Sequence, residues 1–199
     1  MRYFFIYLAL ILVSTAAQAV DAQAINDPRL KQMAWDDPGK QELYTEDNHP
    51  ELYCLALNIY HEAKSESLAG QFAVADVVLN RVNDVRYPDT ICEVVLEAKM
   101  RESWKTKQHK DLPEDERIYY PVRHMCQFSW YCDGKSDKAR DGDAWRRAQV
   151  IAYMIHKNRK YRGITEGATH YHATYVSPKW APELDLVGRI GTHIFYRWP

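Results

Sequence analysis

The sequence has no excess of charge of either sign: 26 Lys and Arg stand against 27 Asp and Glu. Nothing in its electrostatics therefore points to nucleic acid or an anionic membrane as a partner, and a neutral or mixed-charge ligand is favoured. Beyond Val13 there is no apolar run approaching the ~20 residues that a membrane-spanning helix needs. Internal repeats and low-complexity tracts are absent too, which leaves an ordinary globular unit as the expectation. Cysteine is scarce, with four residues and no C-x-x-C pair; only Cys126 and Cys132 are near neighbours. That spacing counts against a four-cysteine zinc site.

What is present begins at the N-terminus, where Arg2 precedes an apolar stretch from Tyr3 to Val13 and a small-residue run ending in Ala17-Gln18-Ala19. This is the pattern of a secretory signal peptide over residues 1–19, cleaved near Ala19, so a secreted or periplasmic location is expected. A retained membrane anchor is the rival reading, but the run is short for it. No cysteine follows the cleavage site, which argues against a lipid anchor, so no stable membrane anchor is expected. In an oxidising compartment Cys54, Cys92, Cys126 and Cys132 should form two disulfides. Of the three pairings, sequence separation and helix placement favour Cys54 with Cys92 and Cys126 with Cys132.

Cleavage leaves about 180 residues, the size of one domain, expected to act as a monomer. Residues 20–50 are polar and carry Asp27-Pro28, Asp37-Pro38-Gly39 and His49-Pro50, which reads as a linker or N-terminal arm before a domain over 51–199. Leu52, Leu55, Ile59 and Ala63 recur at helical spacing behind Pro50, giving a helix over about 51–63. Ser67 is placed to cap a second helix whose stripe is Val74, Val77, Val78 and Val82. Thr90 is placed to cap a third, running through Val94, Val95 and Ala98. The stretch from Met100 to Pro121 is charged and aperiodic and reads as an exposed excursion. Asp143 is the expected cap of a helix with Ala148, Ile151, Ala152 and Ile155 on its stripe. Ala168 to Ala173 and Thr192 to Trp198 read as short strands, with Gly188 and Gly191 punctuating a hairpin. The expected fold class is therefore α+β, mainly helical, with a small C-terminal sheet.

Glu62 lies at the end of the apolar first helix, where partial desolvation disfavours its charged form and suits it to general acid catalysis; from pattern alone the rival reading, an ordinary glutamate near a helix end, is the stronger. Gln127, Phe128 and Ser129 supply an amide, a ring and a hydroxyl suited to an N-acetyl group and a sugar face; the rival reading is a self-satisfied loop closed by Cys126 and Cys132. Along the strand, His170 and His172 share one face and Tyr171 takes the other. Two such histidines with His61, Glu62 and His193 would be the makings of a zinc amidase site. His170 and His172 are counted with the candidate substrate contacts, and Tyr171 and Trp180 are the better candidates for touching saccharide, although aromatics belong to cores by default.

Four segments, in order and spacing together, resemble the cell wall hydrolase family of the spore-cortex lytic enzymes. They are Ile59-Tyr60-His61-Glu62-Ala63 with Glu66; Gly70 to Ala75 running into Val78-Leu79-Asn80-Arg81-Val82; Cys126-Gln127-Phe128-Ser129; and a tail with Val176-Ser177-Pro178-Lys179-Trp180 and Ile190-Gly191-Thr192-His193-Ile194-Phe195. The resemblance implies a lysozyme-like fold related to lytic transglycosylases, metal-free chemistry without a cofactor, peptidoglycan glycan strands as substrate, and Glu62 as the catalytic glutamate. The family's Glu-Ala-Arg-Gly-Glu is replaced here by Glu62-Ala63-Lys64-Ser65-Glu66, so the glycine is missing while both carboxylates remain. Glu66, four residues on, would stack its carboxylate on Glu62 if one helix ran through both; it is expected to orient the turn, cap the next helix, hold neighbours of the acid or contact substrate, with an exposed structural role as the rival reading. The implied reaction is cleavage between N-acetylmuramic acid and N-acetylglucosamine with 1,6-anhydromuramoyl products. A zinc-dependent N-acetylmuramoyl-L-alanine amidase and a non-catalytic peptidoglycan-binding module remain as alternatives.

Overall fold

The computed structural model describes residues 44–140 and 142–199. The expected signal peptide and most of the expected arm lie outside the described residues. Helix α1 spans Pro50–Ala63 with proline in its first turn, where a missing N–H costs nothing. Helix α2, Leu68–Val82, is capped by Ser67, whose Oγ accepts from the Gly70 N–H at 3.2 Å. Helix α3 covers only Ile91–Val95, capped by the Thr90 hydroxyl, and stops short of Ala98 because Ala98 opens strand β1.

Strands β1 (Ala98–Glu102) and β2 (Tyr119–Cys126) pair antiparallel as a separate ribbon, with the short helix α4 (Trp104–Lys107) between them. The excursion over 100–121 is thus exposed, as expected, but it is ordered by backbone pairing. Both faces of a ribbon of two strands are wet, so no hydrophobic alternation announces it. Helix α5 runs from Gly142 to His156, which puts Asp143 inside the first turn and not at the cap. A carboxylate there still complements the positive end of the helix.

The C-terminal sheet has the order β3-β5-β4, with β3 His170–Ala173, β4 Asp185–Ile190 and β5 His193–Arg197, all antiparallel. Gly191 turns β4 into β5 with φ of 60°, and Gly188 sits where the β4 register slips. The fold is therefore α+β, mainly helical, with its small sheet at the C-terminal end.

Helix α2 is buried on two sides. Phe72, Ala75, Val78 and Leu79 join Leu55 and Ile59 of α1 and Ile151 and Ile155 of α5 in the main core, while Ala73 and Val77 pack with Ala168 and Phe195 of the sheet region. Each large side chain buried there contributes about 1.5–3 kcal/mol. This sandwich fixes the C-terminal end of α1 against β3, and the candidate site is built at that junction. Residues 44–49 also belong to the packed body: the Tyr44 N–H donates to Gln149 Oε1 at 2.9 Å and its ring stacks on Tyr153.

The two disulfides are Cys54–Cys92 and Cys126–Cys132. The first ties α1 to α3, beside the Ile91 N–H that donates to Glu51 Oε2 at 2.6 Å.

Candidate active site

Glu62 occupies the last turn of α1, behind an apolar run whose Leu55 and Ile59 are fully buried. Its carboxylate reaches across to the sheet, where Oε2 accepts a 3.1 Å hydrogen bond from the Tyr171 hydroxyl. Burial raises the Glu62 pKa above the ordinary carboxylate range, against the lowering pull of the Tyr171 hydrogen bond and the Arg81 charge. Burial and the Glu62 charge push the Tyr171 phenol far above its ordinary value, so Tyr171 stays a neutral donor.

Arg81 is the second element of the site, and the sequence reading did not single it out. It is buried at 4 % exposure, with Nε donating to the Thr169 carbonyl at 2.7 Å. In the amide orientation that satisfies both groups, Gln127 Oε1 accepts from Nη1 and Nη2 of Arg81 at 2.9 and 3.1 Å. Its guanidinium also lies over the rings of Phe128 and Tyr87, at 5.3 and 5.4 Å. A signal existed: Arg81 follows Val77 and Val78 by four and three residues, placing a cation on the buried stripe of α2.

Gln127 is exposed beside Arg81, whereas the Phe128 ring is buried beneath the guanidinium. Ser129 is exposed and opens the turn that leads to Cys132. That turn is fixed to α1 through Trp130, whose Nε1 donates to Asn58 Oδ1 at 3.1 Å and whose indole stacks on His61 at 4.6 Å.

Because α1 ends at Ala63, Glu66 does not stack on Glu62. Its carboxylate instead accepts from the Thr192 N–H at 3.0 Å and from the Thr192 hydroxyl, joining the start of α2 to the β4–β5 turn. A Cβ at Gly191 would run into that carboxylate, and one at Gly70 would come within 2.9 Å of Glu66 Cβ. Those two glycines make the cradle in which Glu66 sits. Ser65, which stands where the family has glycine, is not among the positive-φ residues, so no backbone strain follows from the replacement.

The β3 alternation holds. Tyr171 faces inward against His193 and Phe195, and His170 and His172 face outward into an aromatic group with Trp180, Tyr196 and Trp198. His172 Nε2 lies 3.0 Å from the Tyr196 hydroxyl. Burial, with Arg81 and Arg86 nearby, pushes the His170 pKa down to about 4. The structure thus brings Tyr171 to Glu62, sets the Arg81 charge close enough to act on it with Gln127 held by Arg81, and puts His170, His172 and Trp180 on the other face of the sheet. It does not assemble His61, Glu62 and His193: His61 turns to Trp130 and the Asp137 carbonyl, and among the described residues no three His, Cys, Asp or Glu side chains are grouped to hold a metal ion.

Comparison with known proteins identifies the family. The Cell Wall Hydrolase family matches residues 65–196, most of the chain. The chain belongs to that family. The match takes in Glu66, Arg81, Gln127 and Tyr171 and begins just after Glu62, so the case for Glu62 is geometric. A spore cortex-lytic enzyme of Oceanobacillus iheyensis is 43% identical over 47 residues, which are 24% of this chain and only 17% of that protein. The catalytic domain of the Bacillus cereus SleB protein is similar over 82% of this chain and 97% of its own, at 21% identity and a TM-score of 0.48. The catalytic domain of the germination-specific lytic transglycosylase SleB from Bacillus anthracis gives 20% identity, 78% and 98% coverage and a TM-score of 0.45.

Proposed function

We propose that this member of the cell wall hydrolase family cleaves the glycan backbone of peptidoglycan between N-acetylmuramic acid and N-acetylglucosamine, by lytic transglycosylation. The observation that carries the proposal is the partly buried Glu62 carboxyl, raised in pKa by burial yet facing a neutral phenol and a fixed cation. Protonated Glu62 gives its proton to the glycosidic oxygen as the bond to the muramoyl C1 breaks, and N-acetylglucosamine leaves as the alcohol. The resulting Glu62 carboxylate is stabilised by Tyr171 and Arg81 until it takes the proton of the muramoyl 6-hydroxyl, which attacks C1 and closes a 1,6-anhydro ring. No water is consumed and Glu62 ends protonated.

An ordinary retaining or inverting glycosidase needs a second carboxyl about 5 to 9.5 Å from the first. The groups that shift Glu62 are a phenol and a guanidinium, and Glu66 is committed to Thr192. That favours the intramolecular nucleophile over an activated water. Export goes with this reading: residues 1–19 act as a signal peptide, the protein works as a monomer outside the cytoplasm, and among the described residues no helix is long and apolar enough to cross a membrane.

Mass spectrometry of digested peptidoglycan tests the proposal. Muropeptides ending in 1,6-anhydromuramic acid are expected; reducing muramic acid ends alone would mean hydrolysis, and free stem peptides would mean an amidase.

A further inference from the structure

On the flank of the last turn of α1 lies a cavity of about 460 Å³ lined by Tyr60, His61, Lys64, Lys135, Ser136, Lys138 and Arg140. Four of these seven side chains are cationic. Lys64 is held 4.8 Å over the Tyr60 ring, and the Arg140 N–H donates to the Tyr60 hydroxyl at 3.0 Å, so both walls are fixed to the same tyrosine. The nearby acids answer only one of the four cations. Asp133 pairs with Lys135 at 3.2 Å and the Asp137 carboxyl, raised in pKa by burial, faces His61. Lys64, Lys138 and Arg140 have no carboxylate partner among the described residues.

A near-neutral protein has gathered four cations on one flank of α1, and two of the lining residues, His61 and Lys64, lie within one helical turn of Glu62. A plain glycan of N-acetylated sugars offers nothing to such a cavity. The muramoyl unit next to the scissile bond, however, carries a lactyl group from which a peptide with free carboxylates extends. We infer that this cavity is a subsite for the carboxylates of that peptide, so that the protein selects peptide-bearing glycan over bare glycan. The inference rests on the glycan-cleaving reading, because it places the muramoyl unit at Glu62. The volume lies in the range of small-ligand sites and suits a few peptide residues. Exposed lysines and arginines act here mainly by complementarity, so the preference should weaken as salt is added.

Binding separates this inference from the chemistry. The full chain carrying Glu62→Gln is titrated with glycan strands of one length, either bearing their peptides or stripped of them by an amidase. The peptide-bearing strand should bind about tenfold more tightly at low salt. Adding Lys138→Ala and Arg140→Ala should remove most of that difference, whereas Lys138→Arg and Arg140→Lys should retain it. Equal affinities for the two strands, or a difference that survives the alanine pair, would overturn the subsite. Tighter binding of poly(glycerol phosphate) than of the peptide-bearing strand would overturn it in favour of an anionic wall polymer. If the wild-type chain cleaves neither strand while the binding preference persists, the catalytic reading fails and the subsite stands.

Discussion

The Tyr171 hydroxyl donates to Glu62 Oε2 across 3.1 Å, joining two residues 109 positions apart and fastening the end of α1 to strand β3. The contact sets the proton affinity of the candidate acid, since it lowers a pKa that burial raises. Tyr171→Phe keeps the ring, and with it the packing against His193 and Phe195, but removes the bond. The Glu62 pKa should then rise further. If Glu62 must be protonated to act, the alkaline limb of the pH–rate profile moves to higher pH in the variant. An unmoved limb, or one displaced toward acid, would separate Tyr171 from the acid.

Arg81 is held at once by the Thr169 carbonyl, the Gln127 amide and two aromatic rings. Lysine carries the same charge but cannot reproduce the planar fork. Arg81→Lys should therefore lower kcat by roughly tenfold to a hundredfold, because the guanidinium both stabilises the Glu62 anion and positions Gln127. Gln127→Ala, at an exposed site, should cost activity with little change in Tm. A fully active Arg81→Lys would remove Arg81 from the site.

The Cys54–Cys92 bridge spans 38 residues and the Cys126–Cys132 bridge only 6. Restricting the unfolded chain is worth about 4 kcal/mol for the longer loop and about 2 kcal/mol for the shorter, by the chain-entropy relation. Replacing Cys54 and Cys92 together by serine should lower denaturant stability more than replacing the other pair. The shorter bridge, adjoining Gln127, should instead affect activity. The reverse order in stability would show that loop length is not what decides.

How far the sequence discloses this molecule depends on the kind of signal. Helices α1 and α2 are legible because their apolar residues repeat on a buried stripe and Ser67 marks a start, and the cysteine pairing follows from which elements lie close. The β1–β2 ribbon was illegible, since exposed Met100, Tyr120 and Met125 give no inward face to read. Of the candidate residues, Glu62 and Tyr171 carry local signals, a helix end and a strand alternation. Arg81 is a cation on an apolar stripe, and its importance comes from partners 46 and 88 residues away, Gln127 and Thr169, which one segment cannot reveal. The same holds for Glu66, whose partner Thr192 lies 126 residues on.

Glu62→Gln tests the central claim most directly, because it keeps the shape of the side chain and removes its exchangeable proton. Loss of general acid catalysis alone is worth about 100- to 10,000-fold, and the same group serves as base in the second step, so release of 1,6-anhydromuropeptides should fall to near the limit of detection. Folding should survive. A carboxyl with a raised folded-state pKa supports stability below its unfolded value and loses that support as pH rises through the folded value. The amide escapes this loss, so the Tm of Glu62→Gln should equal or exceed that of wild type at neutral pH, with the gap opening as pH rises above the ordinary carboxylate range. A folded Glu62→Gln protein that still released 1,6-anhydromuropeptides at the wild-type rate would contradict the account.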